Sequence, residues 1–147
     1  MKLTLRQRLE EVRRLIGEET HWCKEEMCLD TQGDWVSFSS KDAHAYCLHG
    51  AIRRACYTPC YKGNYDHNVE ERDALLNLLA DALRNKGGQC DFDVDGIIVT
   101  EFNDHPNTSH SDVIELLDEV LSDDYLWSEL DGIFEEIDAI MNSKEDF

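Results

Sequence analysis

The chain has few residues that break regular structure, and it lacks a long apolar run. Two prolines and eight glycines stand among its 147 residues, which argues against a fibrous or a low-complexity disordered chain. No apolar run approaches the roughly 18 residues that a membrane-spanning helix needs, and the first residues do not resemble a secretory signal. Since 41% of the residues are hydrophobic, we expect one globular domain, residues 1–147, in the cytoplasm.

Positive charge is scarce, and it is almost missing from the last two-fifths of the chain. Lys and Arg number 14 against 32 Asp and Glu, which gives a formal net charge of −18. Residues 1–89 are nearly balanced, with 14 acids and 13 bases, whereas residues 90–147 hold 18 acids and one base, Lys144. This sign of charge disfavours direct binding to nucleic acids or anionic membranes. It serves either to keep the protein soluble or to attract a basic partner.

The spacing of apolar residues predicts a mainly α-helical (α+β) fold: a compact bundle of about five helices with a small two- or three-stranded β element. The predicted helices span residues 3–17, 41–55, 69–85, 108–121 and 123–142. Ser39, with Asp42 three residues later, predicts the start of the second helix. The β-branched residues 97–99 predict a short strand, and residues 103–107 predict a turn.

The last predicted helix, residues 123–142, is strongly acidic and carries our candidate partner-binding residues: Asp123, Asp124, Glu129, Asp131, Glu135, Glu136 and Asp138. On a helix they give about one charge per 3.4 Å of axis, close to the phosphate spacing of a single DNA strand. The leading hypothesis is therefore a non-enzymatic, DNA-mimic-like protein that binds a basic, nucleic-acid-binding protein and blocks it. A solvated outer face is the alternative. A homodimer formed through the apolar side chains of Trp127, Phe134 and Met141 is a further possibility.

A second hypothesis is a calcium site at Asp91, Asp93 and Asp95. These alternating acids, followed by Gly96, match the first half of an EF-hand loop. The match then fails, because the twelfth position, which should supply a bidentate Glu, is Phe102. An acidic turn is the alternative interpretation.

The cysteines raise the possibility of a zinc site in a metal-binding structural or regulatory module. Cys23 and Cys28 form one pair, and Cys56 and Cys60 form another, which together could supply four thiolates to tetrahedral Zn²⁺. Both spacings are wider than the usual C-x2-C. In a reducing compartment all of these thiols are expected to be free. No bound cofactor is expected beyond these two candidate metals.

A third hypothesis is a small enzyme with a Cys/His or an Asn-Asp site. On a helix, His44 and Cys47 would meet at i, i+3, and Asn103 and Asp104 would form a polar cluster in the predicted turn. A surface histidine and a turn-stabilising carboxylate are the alternative interpretations. Phosphate-binding glycine loops and Ser-His-Asp motifs are absent from the sequence, so we expect no enzymatic activity.

Several motifs resemble a small family of unknown function that occurs in bacteriophages and actinobacteria. They are Trp22, a Cys-Leu-x-Gly-Ala motif at residues 47–51, an Asn-Asp-x-Pro motif at residues 103–106 and an Asp-Val-Ile helix start at residues 112–114. The resemblance covers about residues 20–121.

This resemblance implies a phage or prophage setting and assigns no catalytic or binding residue. A protein of that kind would act in the host cytoplasm against host defence, for example as an anti-CRISPR or anti-restriction protein. The chain departs from the family pattern at Phe102, where Trp is common, and in the acidic helix that follows residue 122.

Overall fold

The computed structural model describes residues 3–59, 65–66, 69–86 and 94–144, without the side chains of residues 58–59, 65–66, 134–139 and 141–144. Within these ranges the fold is mainly α-helical with a small β element, as predicted. The elements, in chain order, are α1 (Leu5–Leu15), a 3₁₀ turn (Glu19–His21), β1 (Cys28–Leu29), β2 (Ala45–Tyr46), α2 (Leu48–Ala55), β3 (Thr58–Pro59), β4 (Tyr65–Asp66), α3 (Val69–Asn85), α4 (Asp95–Asp104), α5 (His110–Leu121) and α6 (Asp124–Lys144).

The helices with strong capping signals lie where the sequence predicts them. Thr4 caps α1 in a reciprocal capping box with Gln7, and Ser109 caps α5 in the same way with Asp112. In each box the side chains satisfy backbone N–H groups that the first turn leaves without a helical partner. α3 spans residues 69–85, and α6 begins and ends within two residues of its predicted bounds.

Two sequence predictions of secondary structure are wrong. The helix predicted from residue 41 begins only at Leu48, because residues 45–46 form β2 and pair with β1. The strand predicted at residues 97–99 is the middle of α4, where Ile98 and Val99 are buried against the other helices. The β-branched run was misread because tertiary burial outweighs the modest intrinsic preference of such residues for strands.

The turn predicted at residues 103–107 lies two residues further along the chain. Asn103 and Asp104 are the last residues of α4, and only residues 105–109 connect α4 to α5. β3 and β4 pair antiparallel, with Thr58 opposite Asp66.

One hydrophobic cluster joins the described helices α1 to α5. Its fully buried side chains include Leu9, Ile52, Leu79, Val99 and Leu117, one from each helix. Each such side chain contributes about 1.5–3 kcal/mol relative to an exposed position. α1 packs on α2 and α5, and α3 packs on α4 and α5. No helix in the described part of the chain is both long and apolar enough to cross a membrane.

Candidate interaction surface

Asn103, at the C-terminal end of α4, is fully buried and uses its whole hydrogen-bonding capacity. Its Oδ1 accepts from Trp22 Nε1 over 2.7 Å and from the backbone N–H of Leu48 over 3.0 Å. Its Nδ2 donates to the carbonyl of Cys23 over 3.1 Å and to Asp104 Oδ1 over 2.9 Å. An amide side chain offers two donor and two acceptor sites. Asn103 uses all four, and its hydrogen bonds join three separate segments of the chain.

The segment around Glu25 is hydrogen-bonded to the same end of α4. Asp104 Oδ1 accepts a hydrogen bond from the Glu25 N–H over 2.8 Å, and Lys24 Nζ donates to the His105 carbonyl over 2.8 Å. Glu25 has a φ of 70°, a left-handed conformation that is uncommon outside glycine. The Asn-Asp pair proposed as a possible catalytic site is therefore occupied by contacts within the fold.

The Cys-Leu-x-Gly-Ala motif is likewise used for packing. Cys47 is the N-cap of α2, and its Sγ accepts a hydrogen bond from the Gly50 N–H over 3.2 Å. A Cβ atom on Gly50 would lie 2.1 Å from the Met27 carbonyl oxygen. Only glycine permits this close approach of the two backbones.

The cysteines of the zinc hypothesis lie in environments that favour the neutral thiol. Burial raises the pKa of Cys23 to about 12 and the pKa values of Cys28 and Cys56 to about 11. A protonated thiol is a poor nucleophile and must lose its proton to bind a metal. Cys60 lies outside the described residues, and among the residues described no group of three His, Cys, Asp or Glu is arranged to hold a metal ion.

Of the three candidate calcium ligands, Asp95 lies within the described residues, whereas Asp91 and Asp93 fall outside them. Asp95 accepts hydrogen bonds from Arg84 Nη2 over 2.7 Å and from Asn77 Nδ2 over 3.1 Å. The guanidinium lowers the pKa of Asp95. Both oxygens of this carboxylate are thus engaged within the fold, and the calcium site stays a prediction.

A cleft of about 260 Å³ lies between α1 and β2, lined by Arg14, Leu15, Glu18, His21, Ala43, His44 and Tyr46. The rings of His21 and His44 contact each other there, with centroids 4.5 Å apart and planes tilted by 43°. The prediction that His44 and Cys47 share a helix is wrong, because both residues precede Leu48, where α2 begins. The His44 ring contacts the His21 ring, whereas the Cys47 thiol caps α2.

Bases of residues 1–89 pair with acids at the end of α5 and the start of α6, and we call this contact the seam. Its ion pairs among the described residues are Arg13 Nε to Asp118 over 2.9 Å, Lys86 Nζ to Glu119 over 2.7 Å and Arg6 Nη2 to Asp124 over 3.2 Å. Arg6 also donates to the carbonyl of Leu121 over 3.1 Å. The acids at the end of α5 and the first residue of α6 are therefore partly neutralised within the molecule.

Beyond this seam, α6 passes from buried to exposed side chains. Trp127 is 2% exposed, and its Nε1 donates to the Val120 carbonyl over 3.0 Å. Leu130 is half-buried, whereas Asp131, Gly132 and Ile133 are exposed. The first two turns of α6 thus rest on α5 and the core, and the helix continues past them to Lys144.

The seven candidate partner-binding residues fall into three groups. Asp123 accepts a hydrogen bond from the Leu126 N–H at the start of α6, and Asp124 pairs with Arg6. Glu129 interacts with the Tyr125 hydroxyl and raises its pKa, while Asp131 is exposed. The side chains of the remaining three, Glu135, Glu136 and Asp138, lie outside the described residues.

A comparison with protein families matches the larger part of the chain. The profile described as "Family of unknown function (DUF6197)" matches residues 1–123. The chain belongs to this family. The DUF6197 match includes α1, so it begins earlier than the resemblance at residues 20–121, and it ends one residue before α6. No curated protein and no solved structure matches the chain.

The structural role of Asn103 was not foreseen from the sequence. In the DUF6197 domain its side chain accepts a hydrogen bond from Trp22, which lies 81 residues earlier in the chain. The signal in the sequence was Trp22 together with the Asn-Asp pair at residues 103–104, since a buried indole N–H needs an acceptor.

Proposed function

We propose that this protein binds a basic partner protein through the acidic surface of α6. The observation that carries the proposal is the change of exposure along this helix. Trp127 anchors it at 2% exposure, whereas Asp131 and Ile133 beyond it face solvent. A 21-residue helix is about 31 Å long, so a large part of α6 extends past its anchor and is available to another molecule.

Charge supports a basic partner. The acids nearest the core already pair with Arg6, Arg13 and Lys86. Past Asp124, the bounds of α6 contain five acids and one base, Lys144. Such a concentration attracts cationic surfaces and accelerates their association at low ionic strength.

Helical geometry places several of these acids in one row. Each residue advances about 100° around the axis, so positions 131, 135 and 138 fall within about 40° of position 124. We call positions 131, 135 and 138 the acidic ridge. An acidic ridge of this kind suits a groove lined by Lys and Arg, and we propose a nucleic-acid-binding protein as the partner, with its phosphate site blocked. Antagonism of a host defence protein by a phage-encoded chain is the biological setting that this proposal predicts.

The test compares three proteins immobilised on beads and exposed to bacterial lysate at low and at high salt. They are the wild type, a ridge variant (Asp131→Asn, Glu135→Gln, Asp138→Asn) and a control variant (Glu19→Gln, Glu26→Gln, Asp42→Asn). The control removes the same three charges from exposed positions in the balanced half of the chain.

We expect basic proteins that the wild type and the control retain at low salt and that the ridge variant loses. Each retained protein, once purified, should bind labelled DNA less well when wild-type protein is added. Equal retention by all three proteins, or retention that is indifferent to salt, would contradict the proposal.

A further inference from the structure

We propose that His49 and Arg53 of α2, together with Arg72 of α3, form a binding site for the phosphate group of a small molecule. The site lies within residues 1–123, which the DUF6197 profile matches, and it shares no residue with the acidic ridge. The proposal goes beyond the proposed function and does not depend on it.

Arg53 is a cation without a carboxylate partner in a strongly acidic chain. The chain has 32 acids, and most of its described arginines pair with one of them: Arg6, Arg13, Arg14, Arg72 and Arg84. Within the described residues Arg53 forms no ion pair, and its guanidinium carbon lies 5.0 Å from the centroid of the Phe38 ring. A contact with an aromatic ring holds a guanidinium in place and leaves its N–H groups available to an anion.

Two further basic side chains lie close to Arg53. His49 precedes it by four residues, so the two side chains share one face of α2. Burial lowers the pKa of His49, and the nearby charges of Arg53 and Arg72 lower it further. An anion bound among these three side chains would offset the repulsion between them.

Helices α2, α3 and α4 meet at this place. A Cβ atom on Gly96 of α4 would lie 3.6 Å from His49 Cε1 and 3.9 Å from Leu76 Cδ1 of α3. Arg72 stands one turn before Leu76 and therefore on the same face of α3. The Thr100 hydroxyl, one turn after Gly96, lies 3.4 Å from His49 Nδ1, so Nε2 is the imidazole nitrogen that a ligand would contact.

The donors of this site suit a phosphate group better than a carboxylate. Arg72 contacts Asp73 through Nε and Nη2, both over 3.2 Å, so its Nη1 remains for a ligand. A carboxylate has two oxygens in one plane and is satisfied by a single guanidinium. A phosphate group has three terminal oxygens and up to two negative charges. Donors from two helices therefore complement it more fully.

Calorimetric titration of the full-length protein tests the proposal. The ligands are inorganic phosphate, a nucleoside monophosphate and acetate, each added at constant ionic strength so that general screening stays unchanged. The protein variants are Arg53→Gln, Arg53→Lys and Arg72→Gln. Arg13→Gln is the matched control, because it removes the same charge from an arginine that pairs with Asp118. Circular dichroism checks that each variant keeps the helicity of the wild type.

We expect both phosphates to bind saturably, and acetate to bind at least about tenfold more weakly than inorganic phosphate. Arg53→Gln and Arg72→Gln should each weaken phosphate binding about tenfold. Arg53→Lys, which keeps the charge but loses the planar fork, should weaken it less. Arg13→Gln should match the wild type.

A second readout is independent of the binding heat. Bound phosphate should raise the pKa of His49, because a nearby anion favours the charged imidazole. Titration of the His49 ring protons by NMR, with and without inorganic phosphate, measures this change, and Arg53→Gln should reduce it.

The two phosphates distinguish the source of the ligand. Tighter binding of the nucleoside monophosphate would assign the site to a phosphate ester, and equal or weaker binding would assign it to free phosphate. Phosphate binding that is not saturable below about 10 mM, or equal weakening by Arg53→Gln and Arg13→Gln, would overturn the site. Acetate that binds as tightly as phosphate would overturn the assignment of the ligand.

Discussion

Trp22 Nε1 donates a 2.7 Å hydrogen bond to Oδ1 of Asn103, and this bond joins two segments that lie 81 residues apart. The same oxygen accepts from the N–H of Leu48, in the first turn of α2. The loop before β1, the start of α2 and the end of α4 therefore meet at one buried amide, which explains why the motif residues of this domain are scattered along the chain.

Replacing Asn103 with Ala should destabilise the protein strongly. The change leaves the Trp22 indole N–H and the Leu48 backbone N–H without an acceptor in a buried place. Each unsatisfied group costs about 1–3 kcal/mol, so we expect a loss of roughly 2–5 kcal/mol in urea unfolding. Asn107→Ala, at an exposed position in the next connection, is the control and should change stability by less than about 0.5 kcal/mol. Equal effects of the two substitutions would contradict this account.

Two glycines should respond to alanine in opposite directions. At Gly50 the new Cβ would lie 2.1 Å from the Met27 carbonyl oxygen, and because this is a backbone atom, the main chain at Met27 must move to relieve the clash. At Gly132, inside α6, nothing lies within 4 Å of the new Cβ. We expect Gly50→Ala to lower the free energy of unfolding by about 2 kcal/mol or more, and Gly132→Ala to increase helicity, with a gain of about 0.5–1 kcal/mol. Circular dichroism during urea titration measures both, and a Gly50→Ala protein as stable as the wild type would refute the close contact.

How well the sequence predicts this fold depends on the range of the interaction. Helices α1 and α5 were predicted because their caps and apolar spacing act within a few residues. Residues 45–46 were assigned to a helix because their strand partner, residues 28–29, is distant in sequence. The stretch 97–99 was assigned to a strand because nothing local reveals that Ile98 and Val99 complete a core built by other helices.

The candidate surface could be predicted only in part. The acidic character of α6 follows directly from composition, but the ion pair between Arg6 and Asp124 depends on how α1 packs against the end of α5. The exposure of Ile133 also depends on where the core ends, which helical periodicity alone does not specify. The sequence therefore indicated the charge of the surface, and the structure indicated where along α6 it becomes accessible.

The ion pair of Asp95 with Arg84 should make a small contribution to stability that disappears in acid. Because the guanidinium lowers the pKa of Asp95 in the folded protein below its ordinary value of 3.8, the stabilisation is present above pH 3.8 and is lost as the pH falls through the folded pKa. We expect Asp95→Asn to lower the free energy of unfolding by about 0.5–1 kcal/mol at pH 7. In the acid range, the wild type and the variant should have similar free energies of unfolding. Urea unfolding at a series of pH values measures the difference. A stability difference between the wild type and Asp95→Asn that widens in acid would contradict the assignment.

Added sodium chloride should raise the melting temperature, although it weakens the ion pairs of the seam. Those pairs are exposed, as in Arg6–Asp124, where the side chains are 40% and 86% exposed, so each contributes at most about 1 kcal/mol. Repulsion within a chain of net charge −18 acts over the whole surface and is screened by the same salt. Between about 20 mM and 500 mM salt, where the Debye length falls from roughly 20 Å to 4 Å, repulsion should decrease more than the pair energies do. The ridge variant, with three fewer acids on α6, should show a smaller rise than the variant that loses the same charges from the balanced half. A melting temperature that falls with salt would mean that the ion pairs between α1 and the acidic helices outweigh the repulsion, and that the acids of α6 are less available to a partner than we propose.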